Sequence, residues 1–272
     1  MEQYLWLIVL GFIVGTYGTL IGAGGGFVLV PVLLLLYPNE SPEIITSISL
    51  AVVFFNASSG SWAYARMMRI DYKSGLLFAA ATIPGAILGS LSTAHMPRRL
   101  FDGVLSILMI AASIFLLISS GKERKTAESN SNSQLGANEI ENDGTAYLFS
   151  YNRIVGVGLS CIIGYISSFL GIGGGIIHVP VLVNLLNFPV HIATATSHFV
   201  LAIMALTGTI VHIVTGTFSH GVHRTVALAI GVLLGAQLGA LLSNRIKGTW
   251  IIQGLAIALG FVGARILISA LW

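Results

Sequence analysis

Charge is scarce in this sequence: Asp, Glu, Lys and Arg together make up 8% of its 272 residues. Soluble domains carry about a quarter charged residues, so this scarcity excludes a cytosolic enzyme and a nucleic-acid binder. Of the 13 basic and 10 acidic residues, eight fall between Lys122 and Asp143. Most of the remaining basic residues lie at the ends of apolar segments, so the net charge of +3 does not indicate a nucleic-acid partner.

Cysteine is also scarce, and acidic residues are absent from the second apolar half of the chain. Cys161 is the only cysteine, which excludes an intrachain disulfide. No Asp or Glu follows Asp143, and the seven histidines contain no tight pair that an acid or a cysteine would complete as a metal site. We therefore expect no metal and no cofactor. The first residues lack the positive stretch of a cleavable leader, so we expect the first apolar run to stay in the membrane.

Hydrophobic residues are abundant: they make up 55% of the chain, and the mean hydropathy is +0.90. Two long apolar blocks, 1–120 and 153–272, predict two bundles of membrane-spanning helices. Between them, residues 121–152 are polar and predict a flexible linker. A plain tether is the simplest interpretation of this linker, and a regulatory role is the alternative.

The two blocks are copies of one unit. The stretch Gly22–Leu33 (GAGGGFVLVPVL) returns 149 residues later as Gly171–Leu182 (GIGGGIIHVPVL). At an offset of 148, three further residues have counterparts: Ser49, Gly60 and Tyr64 correspond to Ser197, Gly208 and His212. Offsets that drift by one residue are what changes in loop length produce. We interpret the pattern as an internal duplication.

Each unit contains five apolar segments. They span about 4–21, 27–37, 45–65, 74–94 and 100–119 in the first unit, and 154–170, 176–187, 193–215, 223–243 and 250–271 in the second. A helix as short as the second segment, 27–37, measures about 16 Å, whereas the hydrocarbon core is about 30 Å thick. We therefore expect each first pair to form a Gly-rich broken or re-entrant hairpin. Counting each such pair as one element gives an eight-helix alternative with the same sidedness.

Basic residues predict how the two units are oriented. Nine lie in loops on one side of the membrane (Arg66, Arg69, Lys73, Lys122, Arg124, Lys125, Arg153, Arg245, Lys247) and three on the other (Arg98, Arg99, Arg224). The positive-inside rule then places the linker in the cytoplasm and both termini outside. An odd number of crossings inverts the second unit. The sequence thus predicts an all-α polytopic protein of the inner membrane with two inverted-topology repeats.

The glycine-rich stretches predict a binding site for an anion. Consecutive glycines break a helix and free backbone N–H groups, and the helix that follows adds a partial positive charge. Secondary transporters often build substrate sites from such breaks near the membrane midplane. The candidate residues are Gly22, Gly24, Gly25, Gly26, Gly171, Gly173, Gly174 and Gly175, with Pro31 and Pro180 as candidate hinges. The alternative is that these glycines only allow close helix packing.

Polar residues inside the third segments form a second set of candidates, since each is costly to place in lipid. Ser49 and Asn56 in the first unit, and Ser197 and His198 in the second, are expected to line the cavity beside the hairpins. Taken singly, each serine would equally well bond to its own helix. His178, His212 and Arg265 are candidates for an anion path. Arg265 has the alternative of extending to the lipid headgroups.

The doubled Gly-x-Gly-Gly-Gly-x4-Pro-x-Leu motif resembles the TauE/SafE sulfite exporter family, as do the stretches 46–49 (TSIS) and 194–197 (TATS). The resemblance covers nearly the whole chain outside the linker. It implies a membrane carrier rather than an enzyme, which exports sulfite, sulfoacetate or a related organosulfonate. We expect this carrier to work by alternating access, with the anion and the lipid bilayer as partners and an oligomeric state that the sequence leaves open. One alternative is an importer of thiosulfate or another small anion. Another is an intramembrane enzyme or assembly factor that uses His178, His198 and His212.

Overall fold

A computed structural model describes residues 2–120, 138–142, 145–149, 152–243 and 248–271. Within these ranges the chain forms ten α-helices and one pair of strands. In the first unit the helices are α1 (Glu2–Ile21), α2 (Gly26–Leu36), α3 (Pro42–Arg66), α4 (Tyr72–Thr93) and α5 (Arg98–Ser120). In the second unit they are α6 (Arg153–Leu170), α7 (Gly175–Asn184), α8 (Val190–Val214), α9 (Val222–Leu242) and α10 (Gly248–Leu271). A short 3₁₀ turn, Thr217–His220, joins α8 to α9.

Local sequence signals fix where several helices begin. Ser41 caps α3 by accepting a hydrogen bond from the backbone N–H of Ile44, and Pro42 occupies the first helical position. Asp71 caps α4 and Asn152 caps α6, each through a side-chain oxygen that accepts from the first turn. These caps lie at the polar ends of the apolar segments, so the predicted segments and the observed helices agree closely.

Length and apolar composition make the protein a multi-pass membrane protein. Among the described residues, five helices are long and apolar enough to cross a bilayer: α3, α4, α6, α8 and α9. Large apolar side chains remain exposed on their outer faces, for example Leu234 at 63% and Leu241 at 62% on α9. An outward-facing apolar surface of this kind suits lipid and not water.

Helices of one unit pack mainly against helices of the other unit. α1 packs along α9, while its counterpart α6 packs along α4; α3 packs on α8, and α5 on α10. Glycines allow the closest approaches, because a side chain on Gly235 of α9 would overlap the backbone of Phe12, and one on Gly89 of α4 would overlap the backbone of Tyr165. Each repeat therefore completes its fold only against the other.

The linker contains a strand pair within its described part. Strands β1 (Asn138–Asn142) and β2 (Thr145–Phe149) are antiparallel, with Asn138 opposite Phe149 and Asn142 opposite Thr145. Residues 121–137, 143–144 and 150–151 lie outside the described residues, and the predicted flexibility of the linker falls largely on them.

Candidate functional site

Two buried glycine-rich loops form the centre of the site. The first, residues 22–25, joins α1 to α2, and the second, residues 171–174, joins α6 to α7. Positive φ angles occur at matching positions of the two loops: Gly22, Gly24 and Gly25 in the first, Gly171, Gly173 and Gly174 in the second. A residue with a side chain would adopt this conformation at a cost of about 1–2 kcal/mol. The glycines are therefore required by backbone geometry.

The two loops lie directly against each other. A Cβ atom added to Gly26 would lie 2.7 Å from the carbonyl oxygen of Ile172, and one added to Gly175 would overlap the backbone of Gly22 and Ala23. Non-bonded carbon atoms approach only to about 3.5 Å without repulsion. The absence of side chains at these two positions lets stretches 149 residues apart in sequence meet backbone to backbone.

Each loop ends at the start of a short helix that has no side-chain cap. The N-cap residues are Gly25 for α2 and Gly174 for α7. The hydroxyl of Ser167 lies beside the second N-cap, since a Cβ on Gly174 would be 2.6 Å from Ser167 Oγ, and this oxygen has no hydrogen-bond partner among the described residues. First-turn N–H groups and a buried hydroxyl are suitable donors to a small anion.

One serine connects each loop to the opposite repeat. Ser49 on α3 donates a hydrogen bond of 2.6 Å to the carbonyl oxygen of Gly171. Its counterpart Ser197 on α8 donates one of 3.4 Å to the carbonyl oxygen of Gly22. Both serines are fully buried. The bonds cross between repeats, so the alternative that these hydroxyls serve only their own helices does not describe them.

A buried polar cluster around Thr19 flanks the first loop. Thr19 Oγ1 donates to Asn56 Oδ1 at 3.0 Å, and Tyr64 Oη donates to the carbonyl oxygen of Thr19 at 2.8 Å. His198 Nε2 lies 3.3 Å from Thr19 Oγ1. The amide nitrogen of Asn56 is left without a partner among the described residues.

Sequence reasoning identified Asn56 and His198 but missed Thr19, which holds them together. It also missed Ser167, Ser168 and Ser90, all fully or almost fully buried. One signal was available: Thr19 and Ser168 are polar, lie inside apolar segments and correspond at the offset of 149. Only the packing of α1 and α6 against other helices shows that these hydroxyls face polar neighbours.

The structure does not gather the other candidate residues into the site. His178 lies with its Nε2 3.5 Å from Ser160 Oγ and its ring edge-on to Phe78, at 6.0 Å between ring centroids. His212 is 14 residues beyond His198 on α8, about 21 Å along the helix. Arg265 is exposed on α10. The three histidines named for the enzyme alternative therefore occupy separate surroundings, and the described residues contain no group of three His, Cys, Asp or Glu able to hold a metal ion.

Both candidate hinge prolines lie inside continuous helices. Pro31 is buried within α2, and Pro180 is half-buried within α7. Proline has no backbone N–H, so each short helix lacks the bond that would reach back to the carbonyl of Phe27 or Ile176. A role as a hinge stays a prediction.

A helical multi-pass membrane protein with an uncharged polar site at its centre is the class that this fold and site define. The sequence matches the family described as Sulfite exporter TauE/SafE over residues 7–266, so the chain belongs to this family of membrane transporters. It is 30% identical to the probable membrane transporter protein YunE of Bacillus subtilis, with 99% of each chain covered. It is 24% identical to a probable membrane transporter protein of Methanocaldococcus jannaschii, with 96% of this chain and 94% of that protein covered. No solved structure matches.

Proposed function

We propose that this transporter is a secondary carrier that exports small sulfur-containing anions, such as sulfite, sulfoacetate or related organosulfonates. The observation that carries the proposal is the junction of the two glycine-rich loops, where uncapped helix starts and buried donors meet without any basic residue. Such a site offers hydrogen bonds to an oxyanion without the strong charge pairing that would prevent its release. The substrate site comprises the eight loop glycines named above with Ser49, Asn56, Ser197 and His198.

Alternating access follows from an inverted arrangement of the two repeats. The exchanged packing of α1 on α9 and of α6 on α4 supports a pseudo-two-fold relation, and the distribution of basic residues supports opposite orientations of the repeats in the membrane. In this arrangement the linker is cytoplasmic, both termini lie outside, and the protein resides in the inner membrane. The two loop-bearing hairpins would rock around the fixed junction and open it to one side at a time.

The membrane potential suffices to drive export. Each negative charge that leaves a cell gains about 2.3 kcal/mol per 100 mV, so a dianion gains about 4.6 kcal/mol, equivalent to a gradient of about a thousandfold. The glycine-rich junction has no carboxylate among its residues, which agrees with transport that does not require proton binding there.

Purified protein in liposomes tests the proposal directly. We expect saturable sulfite efflux that rises when an interior-negative potential is imposed, with sulfate, thiosulfate and the zwitterionic sulfonate taurine as competitors. Flux of thiosulfate in preference to sulfite would replace the substrate while keeping the architecture, and net uptake in place of efflux would favour the importer alternative. No flux of any of these anions by folded protein would overturn the proposed function.

A further inference from the structure

We propose that Ser90, Ser168 and His212 form a second binding site for the transported anion, separate from the glycine-loop junction. The site lies in the half of the molecule where α4, α6 and α8 meet. This inference rests on the proposed function, because it assumes that the chain carries a small oxyanion. It assigns to that anion a second position on its route across the membrane.

The hydroxyls of Ser90 and Ser168 lie against Gly208, where Leu50 Cδ1 also packs. A Cβ atom added to Gly208 would lie 2.9 Å from Ser90 Oγ and 3.6 Å from Ser168 Oγ. His212 follows one turn later on the same helix. All three residues are at most 1% exposed. Neither hydroxyl, and neither ring nitrogen of His212, has a hydrogen-bond partner within the part of the chain that the structure describes.

The equivalent positions of the first repeat show what these residues lack. Ser168, Gly208 and His212 correspond to Thr19, Gly60 and Tyr64. In the first repeat Thr19 bonds to Asn56 and His198, and Gly60 lies against both Thr19 and His198. The counterparts of Asn56 and His198 are the apolar residues Met204 and Leu50. The Thr19 hydroxyl of the first repeat contacts Asn56 and His198, whereas the hydroxyls of Ser90 and Ser168 and both ring nitrogens of His212 have no partner among the described residues.

Buried polar groups without partners are rare, because each is costly to desolvate. Two such hydroxyls beside Gly208, with the unpartnered ring of His212 one turn further along α8, indicate a site that is completed by a ligand. Two hydroxyls and an imidazole N–H supply three donors and no formal positive charge when the histidine is neutral. This donor set fits the oxygens of a small sulfur oxyanion or a sulfonate group.

A cavity lies near this cluster at one end of the protein. It has a volume of about 340 Å³ and lies at the end of α8, where Ser41, Glu43, Ile44, Thr215, Gly216, Thr217 and His220 line it. Thr215 donates to the carbonyl oxygen of His212 at 3.3 Å, so the cavity begins within one turn of the cluster. In the proposed orientation this end faces outward. The second site then lies between the loop junction and the exit.

The double variant Ser90→Ala/Ser168→Ala tests the second site, with Ser106→Ala as the matched control. Ser106 is also fully buried, but its hydroxyl is satisfied by the carbonyl oxygen of Asp102 on its own helix, α5. Radiolabelled sulfite bound at saturation to purified protein is expected to fall from two per chain in the wild type and in Ser106→Ala to one in the double variant. Sulfite efflux from liposomes is expected to fall at least about tenfold in the double variant only, from loss of two hydrogen bonds to an anion.

The thermal midpoint of each protein without anion shows whether the double variant is folded. Because the two unsatisfied hydroxyls are removed, the thermal midpoint of the double variant should equal or exceed that of the wild type. One sulfite bound by the wild type and by the double variant alike, with equal efflux, would mean that these hydroxyls do not bind the anion, and would overturn the second site while the proposed function stands. No sulfite bound or transported by the wild type would overturn both.

Discussion

The two repeats share one backbone device and surround it with different side chains. In both, a loop with three left-handed glycines precedes a short helix, and a serine of the other repeat bonds to the loop. Around the first loop, Thr19, Asn56, Tyr64 and His198 bond to one another. At the corresponding place in the second repeat, buried donors remain unpaired within the described residues. The two repeats keep the same backbone geometry at the loops and differ in the polar side chains around them.

The largest expected effect comes from breaking what the repeats share. Gly175→Ala places a methyl group into the backbone of Gly22 and Ala23, which cannot withdraw without separating the loops. Overpacking of this kind costs about 3 kcal/mol or more, so we expect loss of folded protein from the membrane and of transport. Thermal unfolding in detergent measures it.

Gly158→Ala on α6 is the control for that variant. No atom lies within 4 Å of a Cβ added at Gly158. Alanine in a helix is favoured over glycine by about 0.5–1 kcal/mol, so this variant should be as stable as the wild type or slightly more stable. Equal loss in both variants would show that the loop contact does not govern stability.

A second pair of substitutions compares how much each of the two polar clusters contributes to stability. Asn56→Leu removes the acceptor of Thr19 Oγ1 and the contact that orders the hydroxyl beside His198. We expect a loss of about 1–3 kcal/mol in the free energy of unfolding, because a buried hydroxyl loses its partner. The measurement is the thermal midpoint in detergent, compared with Met204→Leu at the equivalent position, where a volume-conserving apolar change should cost less than about 1.5 kcal/mol. If Met204→Leu proved the more damaging change, the first cluster would not be the structural one.

The two serine hydrogen bonds that connect each loop to the opposite repeat should differ in strength. Ser49→Ala removes a hydrogen bond of 2.6 Å and Ser197→Ala one of 3.4 Å. We expect the first to cost about 1 kcal/mol of stability and the second less, since hydrogen bonds weaken as they lengthen. Equal costs would indicate that the two loops are held alike. Chemical unfolding of the two variants side by side provides the comparison.

The smallest expected effect concerns the cavity at the end of α8. The carboxylate of Glu43 lines this cavity and accepts a hydrogen bond from Thr217. A negative charge at the mouth opposes re-entry of an anion, so Glu43→Gln should raise the rate of sulfite exchange from that side by about twofold to fivefold, the effect of one nearby charge in a largely aqueous setting. Counterflow into liposomes measures this rate. An unchanged or lower rate would exclude the cavity from the anion's route.

Sequence patterns predicted the elements well and their ends less well. The segment 27–37 became α2, Gly26–Leu36, one residue earlier at each end. The segment 176–187 became α7, which ends earlier, at Asn184. Apolar residues continue past that point, but Asn187 adopts a positive φ and Phe188 donates its N–H back to the carbonyl of Leu182, which turns the chain. Hydropathy registers such a turn only weakly, because Asn187 is flanked by the apolar residues Leu186 and Phe188.

Polar neighbours in the site were the least predictable part. Asn56 and His198 stood out because they are polar in an apolar helix, but their shared partner Thr19 lies 37 residues from the first and 179 from the second. The small hydroxyls of Ser90 and Ser168 carried no signal of their own, since a serine in a membrane helix most often bonds to its own backbone.

The sequence by itself determined the membrane environment, the duplication and the glycine loops, because composition, offset and the steric freedom of glycine are properties of the chain at each position. The tertiary structure alone decided that the two loops touch, that each serine bonds to the other repeat, and which buried donors stay unpaired. These are relations between helices that are 120 to 180 residues apart in sequence, such as Ser49 with Gly171 and His198 with Thr19. The physical reason is that a hydrogen bond requires atoms within about 3 Å of each other, and only the packing of α1, α3, α6 and α8 sets those distances.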